Sequence, residues 1–399
     1  MSAEASACHA ADAPRPHAHT TLLVCVGLTF VLHAATYLLN TQLPLHLLAL
    51  GGSHAQIGWL FGVTTAVGMV LRPQVGGWTD RYGARVVMIP GAIALVATTV
   101  ALTVASRPLT VIALMAGLGI GNALISTTGS IVVANESPPD RRGESLSLFY
   151  VFSSVGVALG PPIGFALADL GGMRLNFVVV IACSVVAAAL VLVVRTAPGN
   201  PAAFRGLGPL WSWHAVPASI ALIIITTGHA TVYAFLPMHA DVAGLGTAAW
   251  FFPLMSGFTI ACRLLLRRAS DRFGRLPVLL PAIALIAVGN AVLAVTPSVA
   301  SLVVAAALLG SGNSMLYPTF VALVVDRTPF AERGRAIGTL SGAWDVGVAT
   351  GSPLIAFLVQ THGYGAGFLA SAATTALGLA TLLVTARRRP SAMSSAGAG

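Results

Sequence analysis

Lysine is absent from this 399-residue chain; all 21 basic residues are arginine. A Walker-type phosphate loop needs its lysine and Schiff-base chemistry needs a lysine amine, so neither is available. Charge of either sign is scarce, at 8% of residues against roughly 25% in an ordinary soluble domain. Twelve acids and 21 arginines cannot clothe a soluble protein of this length, which excludes the soluble globular and disordered classes. Cysteine is limited to Cys8, Cys25, Cys183 and Cys262, with no C-x-x-C pair. Three of them lie in apolar segments, a pattern of small packing residues rather than of a disulfide framework or a zinc site. Enzyme signatures are missing as well: there is no H-E-x-x-H, no G-x-S-x-G, and no G-x-G-x-x-G after a strand. No long polar segment could house a catalytic domain, so neither enzyme activity nor a cofactor is expected.

What is present is apolar: 56% of residues are hydrophobic and the mean hydropathy is +0.87. About 20 apolar residues cross a bilayer as a helix, so the chain reads as an all-α membrane protein with twelve transmembrane helices. The expected spans are 21–49, 55–78, 86–105, 109–134, 145–168 and 174–195, then 214–240, 247–269, 277–296, 300–325, 336–360 and 364–386. Residues 1–20 are polar, and the apolar run after them is too long for a cleaved signal. They read as a cytoplasmic tail. The histidines His9, His17 and His19 in it are solvated rather than metal-binding on this reading. Residues 21–195 and 214–386 form two six-helix bundles, joined by a Pro/Gly-rich cytoplasmic linker at 196–213 and followed by a Ser/Ala/Gly tail at 387–399.

With both termini cytoplasmic, nineteen of the 21 arginines fall on or near the cytoplasmic side, leaving only Arg107 and Arg174 outside. This is the positive-inside asymmetry. It accounts for the basic character without nucleic acid and predicts a multi-pass protein of a bacterial-type plasma membrane, in contact with lipid.

The two bundles are copies of one another at an offset of 191 residues. Trp59 maps onto Trp250, Arg72 onto Arg263, Gly119, Gly121 and Asn122 onto Gly310, Gly312 and Asn313, and Gly156, Gly160 and Pro162 onto Gly347, Gly351 and Pro353. Asp80-Arg81-Tyr82-Gly83 maps onto Asp271-Arg272-Phe273-Gly274. Parallel repeats of this kind place a substrate cavity at their interface, near the bilayer midplane.

The stretch Gly76-Gly77-Trp78-Thr79-Asp80-Arg81-Tyr82-Gly83-Ala84-Arg85, with its second copy Arg268-Ala269-Ser270-Asp271-Arg272-Phe273-Gly274-Arg275, resembles the loop-2/3 signature of the major facilitator superfamily. The resemblance covers about residues 20–387. It implies gating roles for Asp80, Arg81, Arg85, Asp271, Arg272 and Arg275. Asp80 would sit at the N-terminus of the eleventh helix and Asp271 at that of the fifth, where a helix dipole favours a carboxylate. Such contacts would close the cytoplasmic side of an outward-open state; a plain tight turn with a solvated charge is the alternative. The run Gly156, Gly160, Pro161, Pro162, Gly164 resembles the G-x-x-x-G-P-x-x-G element of the efflux (antiporter) branch, the arabinose-efflux-permease-like drug and metabolite exporters. Ser147 replaces that element's upstream glycine, and close packing at the interface of the halves would explain the run equally well. The arginine that drug–proton antiporters carry in the fourth span is replaced by Met115, so their proton mechanics do not transfer.

His33, Tyr37 and Asn40 share a face of the first helix, as His229 and Tyr233 do on the seventh. Asn122 and Asn313 are repeat-related on the fourth and tenth, with Tyr317 a turn beyond Asn313. The resemblance places these four helices around the substrate cavity; the alternative is that each polar group ties neighbouring helices together. Asp345 lies about ten residues into the eleventh span, roughly 15 Å deep, and its repeat partner is Ser154, so the duplicated scaffold does not require an acid there. An intramembrane acid points to function, which makes Asp345 the expected proton- or cation-coupling carboxylate. By these span limits no arginine reaches its depth, leaving His33 and His229 as partners in a purely structural pairing. The expected activity is alternating-access export of a small organic molecule, proton-coupled, by a monomer; proton-linked uptake of a sugar or organic acid is the other reading.

Overall fold

The computed structural model describes residues 18–138, 142–196, 211–266, 269–295, 298–329 and 332–387. Nearly all of the expected tails and of the expected linker therefore lies outside the described residues. In a bilayer a chain must satisfy its own backbone polar groups, and the Ala/Leu/Val-rich runs do so as helices. These are α1 (Ala18–Ala49), α2 (His54–Tyr82), α3 (Ala84–Leu102) and α4 (Pro108–Glu136). A helical stretch over Arg142–Val193 is broken at Gly171 and Gly172, where Gly172 takes φ +64°. It divides into α5 (142–170) and α6 (173–193). Both arms lie along α1, as Gly160 against Ala34 on one and His46 against Phe177 on the other show, so the chain folds back at the glycines.

The second half repeats this with α7 (Val216–Val242, interrupted between Thr226 and Thr231), α8 (Phe251–Leu265), α9 (Arg275–Ala294), α10 (Val299–Asp326), α11 (Arg333–His362) and α12 (Tyr364–Arg387). Among the described residues ten helical stretches are long and apolar enough to cross a membrane, and the folded-back one among them supplies two rods. At 15 residues, α8 is shorter than its expected span of 247–269.

Local chemistry sets the ends that matter for function. Ser53 caps α2: its hydroxyl accepts from the Gln56 N–H while the Gln56 side chain accepts from the Ser53 N–H at 2.9 Å. This reciprocal box starts the helix firmly. At the other end Gly83 has φ +87°, and its repeat partner Gly274 has φ +91°. Side chains other than glycine rarely adopt such angles, which is why both Asp-Arg-x-Gly copies end in glycine.

The repeat-related glycines do the same work in each half. A Cβ at Gly119 would stand 2.5 Å from the Thr64 carbonyl oxygen, and Gly310 presses equally hard on Met255, the repeat partner of Thr64. Gly156 and Gly160 press on Phe30 and Ala34 of α1, as Gly347 and Gly351 press on Ile223 and Thr227 of α7. The glycine run of α5 thus packs inside its own half rather than at the interface between halves. Two large buried clusters form the core, one centred on α1 to α6 and one on α7 to α12.

Candidate functional site

Between the halves, α2 runs along α11 and α5 along α8. At the face with few arginines, His54 and Tyr364 approach at 2.7 Å and the Ala55 N–H donates to the Gln360 side chain at 2.8 Å. Gly58 and Gly62 then seat Pro353, and on the other pair of helices Phe165 stacks on Phe252 at 5.6 Å while the Ser256 hydroxyl donates to the Ala158 carbonyl. Further along α2 and α11, toward the arginine-rich face, a Cβ at Gly76, Gly338 or Gly342 would meet nothing within 4 Å.

At mid-depth the halves are joined by an ion pair, Arg72 Nε to Asp345 Oδ2 at 2.7 Å. This corrects the expectation that no arginine reaches Asp345. The apolar run fades near Trp78, but the Ser53 cap and the Gly83 turn carry α2 to Tyr82. Arg72 therefore lies ten residues inside its helix and Asp345 twelve residues inside α11, depths of about 15 and 18 Å. Asp345 is almost wholly buried, whereas Arg72 keeps 29% of its side-chain exposure. The Nε–H is not aligned for a hydrogen bond to Oδ2, so charge rather than a well-formed hydrogen bond holds the pair. Gly68, one turn away, leaves room for it: a Cβ there would stand 3.3 Å from both Arg72 Nε and Asp345 Oδ2.

The repeat-related position is built from the same parts with one substitution. Arg263 of α8 donates through Nη1 to the hydroxyl of Ser154 on α5, and through Nε and Nη2 to the Ser314 carbonyl at 3.3 and 3.2 Å. Ser154 stands where Asp345 stands in the other half.

A row of rings connects the two positions. Tyr37 meets Tyr233 edge-on at 5.1 Å, His229 lies 5.8 Å from Tyr233 and 4.6 Å from Trp344, and Tyr317 lies 5.6 Å from Trp344 and 6.5 Å from Tyr150. The row crosses between halves at both ends. Four of the expected cavity residues, Tyr37, His229, Tyr233 and Tyr317, belong to it, and the Tyr317 hydroxyl also bonds Ser341 at 2.8 Å. Asn313 joins His229 and Tyr233 around a cavity of about 20 Å³ in the second half, room for about one water.

The remaining three are apart from the row. His33 Nδ1 donates to the Thr29 carbonyl at 2.8 Å, Asn122 spends its amide on Thr36 and the Leu118 carbonyl, and Asn40 makes no side-chain hydrogen bond among the described residues. Neither His33 nor His229 pairs with Asp345.

The expected gate residues stand at the arginine-rich face. Asp80, Arg81 and Arg85 are exposed, with the Arg81 guanidinium 5.1 Å from the Tyr82 ring centre. Arg272 repeats that contact on Phe273 at 5.4 Å. Arg275 pairs with Asp326 at 2.7 Å within its own half. The Asp271 side chain lies outside what the structure describes.

Sequence reasoning missed Arg72, Arg263, Tyr150 and Trp344 as site residues. The two arginines had a signal, since they are repeat-related to each other just as Ser154 and Asp345 are; the two rings had none.

Comparison with known proteins agrees with this architecture. The family model described as Major Facilitator Superfamily matches residues 25–268 and 218–399. The staphylopine export protein of Staphylococcus aureus is 23% identical over 361 residues, covering 84% of this chain and 89% of the relative. An uncharacterized MFS-type transporter of Salmonella typhimurium is 26% identical over 368 residues, covering 88% and 91%. Among solved structures, the nucleoside transporter NupG superposes with a TM-score of 0.72 at 14% identity, over 92% of this chain and 99% of that one. A POT family transporter in complex with a thioalcohol-conjugated peptide gives 0.77 at 13% identity, over 92% and 96%. Identities this low speak to the fold alone. Duplicated six-helix halves and a family match along nearly the whole chain converge: the protein belongs to the Major Facilitator Superfamily and is a multi-pass membrane transporter of small molecules.

Proposed function

We propose that this protein is a secondary active exporter of a small organic molecule, coupled to protons through Asp345. Its setting is a bacterial-type plasma membrane with the arginine-rich face cytoplasmic. The observation that carries the reading is the Arg72–Asp345 pair, in which a buried carboxylate joins the two halves at mid-depth. A relative named as an export protein and the resemblance of the α5 glycine run to the efflux-branch element support the outward direction.

The chemistry follows from competition. A proton and Arg72 seek the same carboxylate oxygen, so protonation of Asp345 releases Arg72 and loosens α2 from α11 at mid-depth. With the contacts at the arginine-poor face closed, the state described is inward-facing on this reading. Rocking of the halves about the mid-depth band would expose substrate and carboxylate to the other side, and Asp80 and Asp271 would then dock on the N-termini of α11 and α5.

Reconstituted Asp345→Asn protein, in which an amide oxygen still faces Arg72, is expected to fold and bind substrate yet lose accumulation driven by a pH gradient. Gradient-driven transport at the wild-type rate in that variant would remove Asp345 from the coupling role. Direction is read separately: deleting the gene raises cellular substrate if the protein exports and lowers it if the protein imports.

A further inference from the structure

Arg263 is held to Ser154, twelve residues inside α5, and has no anion among the described residues. Its Nε and Nη2 donate to the Ser314 carbonyl and its Nη1 to the Ser154 hydroxyl; among the described residues no carboxylate lies within ion-pair distance of it. Those bonds satisfy some of its hydrogen-bonding capacity and none of its charge. Unneutralised charge at this depth is costly, and such residues face a partner or a substrate pathway. The repeat makes the omission pointed, because the related arginine, Arg72, has its acid in Asp345. The repeat-related position carries a carboxylate, Asp345, yet the chain places a serine at 154.

The guanidinium has five N–H donors, and its three contacts leave two of them for an incoming group. Arg263 is only half-buried and bridges the two halves through Ser154 of α5, which lies one turn from Tyr150 at the end of the ring row. We propose that Arg263 anchors the carboxylate of the transported molecule, with the body of that molecule laid against the aromatic row. This rests on the transporter reading above and names its substrate class, an organic monoanion. One uncompensated cation matches one negative charge; a dianion would have to take Arg72 from Asp345. Ser154 keeps the site open, where an aspartate would fill it from within.

The test uses purified full-length protein at fixed pH and reads ligand-induced thermal stabilisation. The probes are a panel of monocarboxylates from acetate to benzoate and indole-3-acetate, each paired with its own primary amide. Stabilisation by carboxylates and not by their amides is expected. Affinity should fall roughly tenfold or more in Arg263→Gln, the loss of a charge-assisted contact, and partly in Arg263→Lys, which keeps the charge without the fork. Ser154→Asp guards against a variant that fails to fold: it gives Arg263 an internal partner, and should melt no lower than wild type without ligand while losing carboxylate binding. Equal stabilisation by amides, no stabilisation by any carboxylate, or undiminished binding in Ser154→Asp or Arg263→Gln would each overturn the proposal. Asp345→Asn separates the two readings. It should keep carboxylate binding even where gradient-driven transport is lost, and a failure of coupling alone leaves Arg263 untouched.

Discussion

The ion pair between Arg72 and Asp345 is asymmetric in its burial: the acid is almost sealed while the base retains access to its surroundings. Removing one member of a buried pair strands the other charge and costs about 3–5 kcal/mol, whereas removing both together is often neutral or better. Asp345→Ala is therefore expected to lower the melting temperature in detergent sharply. The double variant Arg72→Met with Asp345→Leu should melt at least as high as either single change; a double variant that melts below both would show that the two charges are not each other's main support. Of this pair, the acid was legible in the sequence because a charge deep in an apolar run stands out, and because Ser154 marked it as an addition to the scaffold. The base was not, since reading depth from the fading of hydrophobicity placed Arg72 too near its helix end. Trp344 and Tyr150 were invisible for a different reason: an aromatic residue in a membrane helix looks the same in sequence whether it faces lipid or a partner ring.

Helix against helix, contact is governed by glycines that let backbones meet. At Gly160 a Cβ would lie 2.6 Å from the Ala34 carbonyl oxygen and 2.8 Å from the Leu38 nitrogen, both backbone atoms that cannot swing aside. At Gly338 on α11 a Cβ meets nothing within 4 Å. Gly160→Leu should thus cost about 1–3 kcal/mol or more through overpacking, with Gly338→Leu near wild type in the same thermal assay. Equal melting of the two variants would mean that α1 and α5 separate freely. Spacing in sequence revealed that these glycines pack closely, and the repeat revealed that they do so twice. It could not say against which helix, because that depends on how six rods are arranged, and the interface between halves was the wrong choice. The break at Gly171-Gly172 was readable, since an unbroken helix from 142 to 193 would be far longer than a bilayer is thick.

Across the whole molecule, the contacts at the arginine-poor face set the state. His54 with Tyr364, Ala55 with Gln360, and Pro353 against Gly58 and Gly62 close that side, and Asp80 at the opposite side is exposed. If Asp80 docks on the N-terminus of α11 only when the halves rock the other way, Asp80→Asn should favour the state described here by about 1–2 kcal/mol. Cysteines introduced on the two faces would report this as more labelling from the arginine-rich side and less from the other. Unchanged labelling on both faces, with transport intact, would end the gating role of Asp80. The duplicated architecture was legible from the 191-residue offset alone, because Trp, Arg, Asp and Asn matches in register are not a compositional accident. The direction in which the halves lean is a balance of small interface energies that no motif records.

Where Gly347 and Gly351 let α11 lie close on α7, most of the nearest atoms are backbone atoms of Ile223 and Thr227, with the Thr226 hydroxyl beside them. If Asp345 is the coupling carboxylate as proposed, a displacement of α11 would be passed to α7 largely through backbone contacts. On the proposed coupling, the fluorescence of an indole at the margin of the second half, such as exposed Trp213 just ahead of α7, would then be a remote gauge of protonation at Asp345.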